Sequence, residues 1–203
     1  MFWDYAAYVY DLFAKGINRK CHKTLCKKME GYMHEEDEVL ECACGTGMLT
    51  KHMALYCKFV TATDYSLNMA KKAEKNCRDL KNVFFQCVDI TSLPYSDDSF
   101  DTVVAANVIH LLPDPDMAFN EMVRVCRNGG RLIIPTYVNQ EKSGKDNLFS
   151  RILGKAGAGF KRQFSFASYQ EFIHSHGFED VKFDCCGGFM PCAIAVIEIG
   201  KDF

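Results

Sequence analysis

VLECACGTGMLTKHMA, residues 39–54, sets two glycines one residue apart between an apolar stretch and a helix-like one. The apolar stretch ends on acidic Glu41, and Cys42 and Cys44 interrupt the pattern. Three readings compete: a nucleotide cradle, a metal clip and a tight strand-to-helix turn. Gly45 and Gly47 allow a sharp turn and a close approach of a ligand to the main chain. A helix starting near Met48 would direct free amides toward that ligand. A Gly-x-Gly pair alone is a weak motif, so the flanking sequence has to decide.

Working outward, strand and helix patterns alternate. Residues 38–43 read as a strand, 47–57 as a helix, 58–64 as a second strand, and 66–77 as a second helix with Ser66 as its cap. Residues 82–89 and 100–107 are a third and a fourth strand, the fourth almost continuously apolar, as a buried parallel strand should be. A helix over 115–127 stops at Gly129-Gly130, and a fifth strand covers 130–138. After an irregular stretch, 139–164, a helix resumes over 166–178, and two strands, 179–186 and 192–200, close the chain. The link Gly187-Gly188-Phe189-Met190-Pro191 is too short for a crossover helix, so the last strand should run antiparallel to its neighbour. Ahead of all this, residues 5–33 carry apolar side chains at helical spacing. The pattern predicts an α/β doubly wound, seven-stranded, mostly parallel sheet in a single domain. Such sheets bind ligands outside the carboxyl ends of their strands.

The residues at those ends fit an adenosine. The second strand ends in Asp64, whose carboxylate can accept both ribose hydroxyls; a helix-start aspartate is the plainer alternative. The third ends in Asp89, an acceptor for an adenine amino group, with Ile90 to pack on the ring; the plainer alternative is a solvent-facing turn. A dinucleotide fingerprint needs a third glycine, and Thr50 stands at its position. No basic residue lies in the loop to meet a phosphate. Both features favour a phosphate-free adenosine ligand over NAD.

VLECACGTG, VTATDYSLNMAKKA, QCVDITSLPYSDDSFDTVVAANVIHLLPD and EMVRVCRNGGRLIIPTY, in this order and spacing over about residues 38–137, resemble the successive motifs of class I S-adenosylmethionine-dependent methyltransferases. The similarity is to the small group that includes ubiquinone/menaquinone-biosynthesis C-methyltransferases. It implies a Rossmann-like fold, S-adenosylmethionine as cofactor, and methyl transfer to a small-molecule or lipid acceptor. It carries cofactor binding to Glu41, Ala43, Cys44, Gly45, Thr46, Gly47, Asp64, Tyr65, Met69, Asp89, Ile90 and Asn107, and to Tyr10 on an N-terminal lid spanning residues 1–34. The family pattern has a glycine where this chain has Ala43, a departure expected to leave the turn intact. Cys42 and Cys44 fall at variable positions of the motif, which sets the metal clip aside.

Methyl transfer is an in-line displacement from an excellent leaving group, so positioning can supply much of the rate. His110 has the right residue type for a base; packing is its alternative role, and the expectation is that positioning dominates. Six Lys/Arg and no acid lie between Asp11 and Glu30: Lys15, Arg19, Lys20, Lys23, Lys27 and Lys28. With the basic and aromatic stretch inside 139–164, they could draw an anionic or lipid-like acceptor, or a membrane surface. A phospholipid N-methyltransferase is one alternative. Cys185, Cys186 and Cys192 raise another, an arsenite or thiol acceptor. Other classes are a nicotinamide oxidoreductase and a non-catalytic adenosyl-ligand binder.

Composition sets outer bounds. The chain has 203 residues, a net charge of −2 and 48% hydrophobic residues, a soluble-protein balance with no global pull on nucleic acid. Its eleven cysteines are scattered and form no Cys-x-x-Cys pair, which predicts reduced, mostly buried thiols and no metal site. No secretory signal is evident at the N-terminus, so a cytoplasmic location is expected.

Overall fold

The computed structural model describes residues 16–139 and 162–200. Its elements are α1 (Arg19–Glu30), β1 (Glu38–Cys42), α2 (Met48–Met53), β2 (Phe59–Asp64), α3 (Leu67–Asn76), β3 (Val83–Cys87), β4 (Phe100–Ala105), α4 (Pro115–Val125), β5 (Cys126–Tyr137), α5 (Phe166–His174), β6 (Val181–Cys186) and β7 (Cys192–Glu198), with a 3-10 turn at Ile109–Leu111.

The seven strands form one sheet in the order β3-β2-β1-β4-β5-β7-β6. Strands β1 to β5 pair in parallel, and β7 runs antiparallel to both β5 and β6. Adjacent apolar residues along a strand go to opposite faces. Leu40, Val103, Leu132 and Ile134 meet Phe119, Met122 and Val125 of α4 and Tyr169, Phe172 and Ile173 of α5. Val39, Val60, Val104 and Ile133 meet Cys21, Leu25 and Met29 of α1, Leu49 and Met53 of α2, and Ala73 of α3. Two core layers of this kind explain why the central strands are apolar throughout.

Ser66 caps α3 as expected, its hydroxyl accepting from the Met69 amide at 3.3 Å. The helix expected over 115–127 ends earlier, at Val125, because Cys126 already pairs with Phe100 of β4. Arg127 then reaches the Asp101 carboxylate at 2.7 Å and Glu38 at 3.2 Å. The helix expected over 47–57 is only six residues long and gives way to exposed Leu55 and Tyr56.

The N-terminal segment departs from the expectation of a lid outside the sheet core. Residues 1–15 lie outside the described residues. From Asn18 onward the chain belongs to the core: Cys21, Leu25 and Met29 are buried. Asn18 exchanges hydrogen bonds with the Met190 backbone at 2.9 and 3.1 Å. A side chain at Gly188 would press into Asn18 and Cys21 at 2.6 Å. Lys28 and Tyr32 both donate to Asp184 of β6, at 2.6 and 3.0 Å. Apolar spacing alone could not separate a lid from a core helix, because both are amphipathic.

If α1 is core, Leu25→Ala should cost about 2–5 kcal/mol of unfolding free energy. Urea denaturation followed by circular dichroism measures it. A lid helix would leave the midpoint unchanged.

Candidate functional site: the carboxyl edge of the sheet

In the loop after β1 every other residue is left-handed. Ala43 has φ 56°, Gly45 57° and Gly47 82°. The Cys44 amide donates to the Thr63 carbonyl at 2.8 Å, which pins the loop to the neighbouring strand. Added side chains would fare differently at the two glycines. At Gly47 a Cβ would lie 3.0–3.2 Å from Cys77 and Ala73, so this glycine lets α3 pack closely. At Gly45 it would meet nothing within 4 Å, so the loop presents bare backbone to open space. Thr46 is buried, and its carbonyl accepts from the Asn76 side chain at 2.8 Å.

Two carboxylates stand behind the loop. Asp64, at the tip of β2, accepts from the Gly45 amide at 2.8 Å through one oxygen and from the Ser66 amide at 2.9 Å through the other. Each oxygen keeps a lone pair for a further donor. Burial pushes the Asp64 pKa up, and the two amides pull against it. Glu41 is 2% exposed, and Thr50 donates to its carboxyl group. Burial, with the nearby Asp64 charge adding to it, pushes the Glu41 pKa up to about 8. Thr50 stands where a dinucleotide loop has its third glycine, and its hydroxyl is committed to Glu41.

The other expected residues differ in where they lie. The Val88 amide donates to the Asp64 carbonyl at 3.0 Å, which sets Asp89 just beyond the neighbouring strand tip. Asp89 is exposed and closes a turn by accepting from the Thr91 amide and hydroxyl at 2.9 and 2.7 Å. Ile90 is buried in the core layer below. Tyr65 is 69% exposed, whereas Met69 is buried at the start of α3. Tyr10 lies outside the described residues.

Asn107 and His110 follow β4, across the sheet from Asp64. Asn107 takes φ 55°, its amide donates to the Pro135 carbonyl at 2.7 Å, and its side-chain oxygen accepts from the Cys192 thiol at 3.7 Å. His110 is 2% exposed, and burial lowers its pKa to about 3. Such a ring stays neutral near pH 7, a packing and hydrogen-bonding group there rather than a charged acid.

Two residues at this edge escaped the sequence reading: Tyr137, which ends β5, and His22 of α1, bonded to its hydroxyl at 2.6 Å. Its place at the end of β5 is the signal that could have found Tyr137; no local signal marks His22. Cys185 is exposed and Cys186 buried, on opposite faces of β6. Among the described residues no group of three or more His, Cys, Asp or Glu is placed to hold a metal. No described helix is long and apolar enough to cross a membrane.

Residues 40–134 match the family model described as a methyltransferase domain. Over that stretch the chain is similar to methyltransferase domains. A demethylmenaquinone methyltransferase of Paenarthrobacter aurescens (strain TC1) is 30% identical over 148 residues, 73% of this chain and 56% of that protein. A phosphatidylethanolamine N-methyltransferase of Cereibacter sphaeroides is 32% identical over 111 residues, 51% of this chain and 52% of that protein. The chain thus spans about half the length of the curated relatives it matches. The solved N-methyltransferase NodS from Bradyrhizobium japonicum WM9, in complex with S-adenosyl-L-homocysteine, shares the fold with TM-score 0.68 at 20% identity, covering 89% of this chain and 86% of NodS.

Ala43, at φ 56°, carries a backbone penalty where the methyltransferase pattern it resembles has glycine. A left-handed alanine costs about 1–2 kcal/mol, partly offset by the extra unfolded freedom of glycine, about 0.5–1 kcal/mol. Ala43→Gly should therefore raise stability by up to about 1 kcal/mol, read as an upward shift in thermal midpoint. A lower midpoint would contradict the strain.

Glu41 makes a pH prediction. Its folded pKa, about 8, lies above its ordinary value of 4.5. The folded state therefore holds a proton that the unfolded chain releases between those values. The stability from this proton is full below pH 4.5 and is lost as pH rises through about 8. Glu41→Gln should flatten that decline in denaturation curves taken across the window. An equally steep decline in the variant would refute it.

Proposed function

We propose that the protein is an S-adenosylmethionine-dependent methyltransferase acting on a small-molecule or lipid acceptor. The observation that carries this reading is the Gly45–Asp64–Ser66 arrangement. A bare loop faces open space beside a carboxylate whose orientation two backbone amides fix. That donor set fits an adenosyl ligand: Asp64 would accept from ribose hydroxyls, and Asp89 would stand at the adenine end. Glu41, Ala43, Cys44, Thr46, Gly47, Tyr65 and Met69 would shape the cradle, and Ile90 would support the adenine end from the core. The reading counts Asn107 at the methyl-donor end and Tyr10 over the cofactor. The bound cofactor supplies a methyl group on a positively charged sulfur, which departs as a neutral thioether.

The chain's share of the work is to hold and exclude. Ordering an acceptor against the donor can supply up to about 7–11 kcal/mol of the barrier. His110, neutral and buried, contributes by shape and hydrogen bonding. A dinucleotide oxidoreductase is disfavoured because the site of its third glycine is filled by Thr50, turned onto Glu41.

For the acceptor, the two named relatives point to a quinone precursor or an aminophospholipid, both lipid-like. Arg19, Lys20, Lys23 and Lys27 leave one side of α1 basic and exposed, which suits contact with an anionic membrane surface. Lys28 is engaged with Asp184. A cytoplasmic location accompanies this reading.

Asp64→Ala should weaken S-adenosylhomocysteine binding roughly tenfold to a hundredfold, the loss of about 1.5–3 kcal/mol of charge-assisted hydrogen bonding. Titration calorimetry measures it, and an unchanged dissociation constant would sink the ribose assignment. A screen of acceptors with labelled methyl donor tests turnover directly; binding without transfer to any acceptor would leave an adenosyl-ligand binder.

A further inference from the structure

The link from β3 to β4, residues 88–99, carries Asp89 and Ile90. Its upstream end is tied to β2 by the Val88 amide on the Asp64 carbonyl, at 3.0 Å. Asp89 then closes a turn through one carboxylate oxygen, Oδ1, which accepts from the Thr91 amide and hydroxyl. The Ser92 amide completes the turn by donating to the Asp89 carbonyl at 3.1 Å. The other carboxylate oxygen, Oδ2, accepts nothing among the described residues, and Asp89 is exposed.

Just after this turn, two side chains of α4 grip the backbone of Leu93. The Leu93 amide donates to Glu121 Oε2 at 2.7 Å, and the Leu93 carbonyl accepts from Arg124 Nη2 at 3.0 Å. Glu121 and Arg124 stand three residues apart on one helix face and are paired with each other at 2.7 and 2.8 Å. Arg124 Nη1 also donates to the Tyr95 carbonyl at 2.7 Å and to Asp97 at 2.8 Å. A guanidinium has five N–H donors in one fixed plane, and Arg124 uses all five. The Tyr95 hydroxyl reaches back to Gln86 of β3 at 2.6 Å. Ile90 and Leu93 are buried in the core, which sets how deep the link lies. Apolar burial has no direction. The hydrogen bonds to Leu93 and Tyr95 have one, and they set which way the preceding turn faces.

We propose that Glu121 and Arg124 are positioning residues for the adenine end of the cofactor site: through the backbone of Leu93 and Tyr95 they hold the Asp89 turn so that its Oδ2 faces the 6-amino group of the bound base. Both act through the main chain of the link and need not touch the ligand. A carboxylate oxygen held in one place accepts from a 6-amino base and meets a second acceptor on a 6-oxo base, so it discriminates between them. A turn free to swing would tolerate both. The inference rests on the methyltransferase reading, with Asp89 at the adenine end. It adds what enforces the choice of base, an ion pair on α4 that lies outside both the glycine loop and Asp64.

Calorimetric titration of the full chain with S-adenosylhomocysteine and with its 6-oxo counterpart, S-inosylhomocysteine, reads the base preference as a ratio of dissociation constants. The parent should favour the adenine form at least about tenfold, and Asp89→Ala should remove most of that preference. Arg124→Lys keeps a positive charge beside Glu121, but its donors sit on one point and cannot hold Leu93, Tyr95 and Asp97 together. It should lose most of the preference as well, and so should Glu121→Leu, which removes the acceptor of the Leu93 amide. In the Asp89→Ala background Arg124→Lys should change the ratio no further, because its effect passes through Asp89. A merely structural role would lower the thermal midpoint and leave the ratio of the folded variants at the parent's value. The parent alone supplies a second reading that no folding defect can spoil: its Leu93 amide should exchange slowly with deuterium before ligand is added. A parent that binds both forms equally, a Leu93 amide open to exchange, Arg124→Lys or Glu121→Leu at the parent's ratio, or an Arg124→Lys effect undiminished after Asp89→Ala would each overturn the proposal. Failure of the parent to bind S-adenosylhomocysteine would instead strike the methyltransferase reading beneath it.

Discussion

The hydrogen bond from the Gly45 amide to the Asp64 carboxylate ties the loop after β1 to the tip of β2. It acts with the Cys44 amide bond to the Thr63 carbonyl to place the loop against the neighbouring strand end, and with the Ser66 amide to set the carboxylate's orientation. The bond is short, at 2.8 Å, and charge-assisted. It needs Gly45 in the left-handed region, where glycine alone is unstrained. It also needs β1 and β2 in parallel register, since only then do both carboxyl ends fall on one edge. Sheet order, loop conformation and carboxylate orientation therefore stand or fall together.

Much of the fold was legible because its signals are local or periodic. Apolar runs at the right intervals, Ser66 ahead of a helix and a short Gly-Gly link before the last strand each specify one structure by one physical rule. The doubly wound order and the antiparallel β7 follow from them. Boundaries were less legible where tertiary contacts outweigh local preference. Cys126 and Arg127 continue a helical pattern, yet pairing with Phe100 and the ion pairs to Asp101 and Glu38 draw them into β5. The role of α1 was not legible either, since amphipathic spacing is the same on a lid and on a core helix.

The site divides in the same way. Glu41, Gly45, Gly47 and Asp64 could be placed at the strand ends and the loop because their residue types and spacing mark where β1 and β2 stop. The strain at Ala43 and the commitment of Thr50 to Glu41 depend on conformation and on a side chain nine residues away. His22 and Tyr137 are 115 positions apart in sequence. No pattern within one element could join them; the sheet order and the clamp at Asn18 do. The loop after β1 is thus a property of local sequence, and the Tyr137–His22 pair is a property of the packed molecule.

The central claim is that the carboxyl edge between β1 and β2 takes a phosphate-free adenosyl ligand. A displacement titration tests it most directly: labelled S-adenosylhomocysteine is bound to the full chain and challenged with increasing NAD. The account predicts saturable S-adenosylhomocysteine binding that NAD does not displace. Displacement by NAD, or saturable binding of NAD with none of S-adenosylhomocysteine, would contradict it.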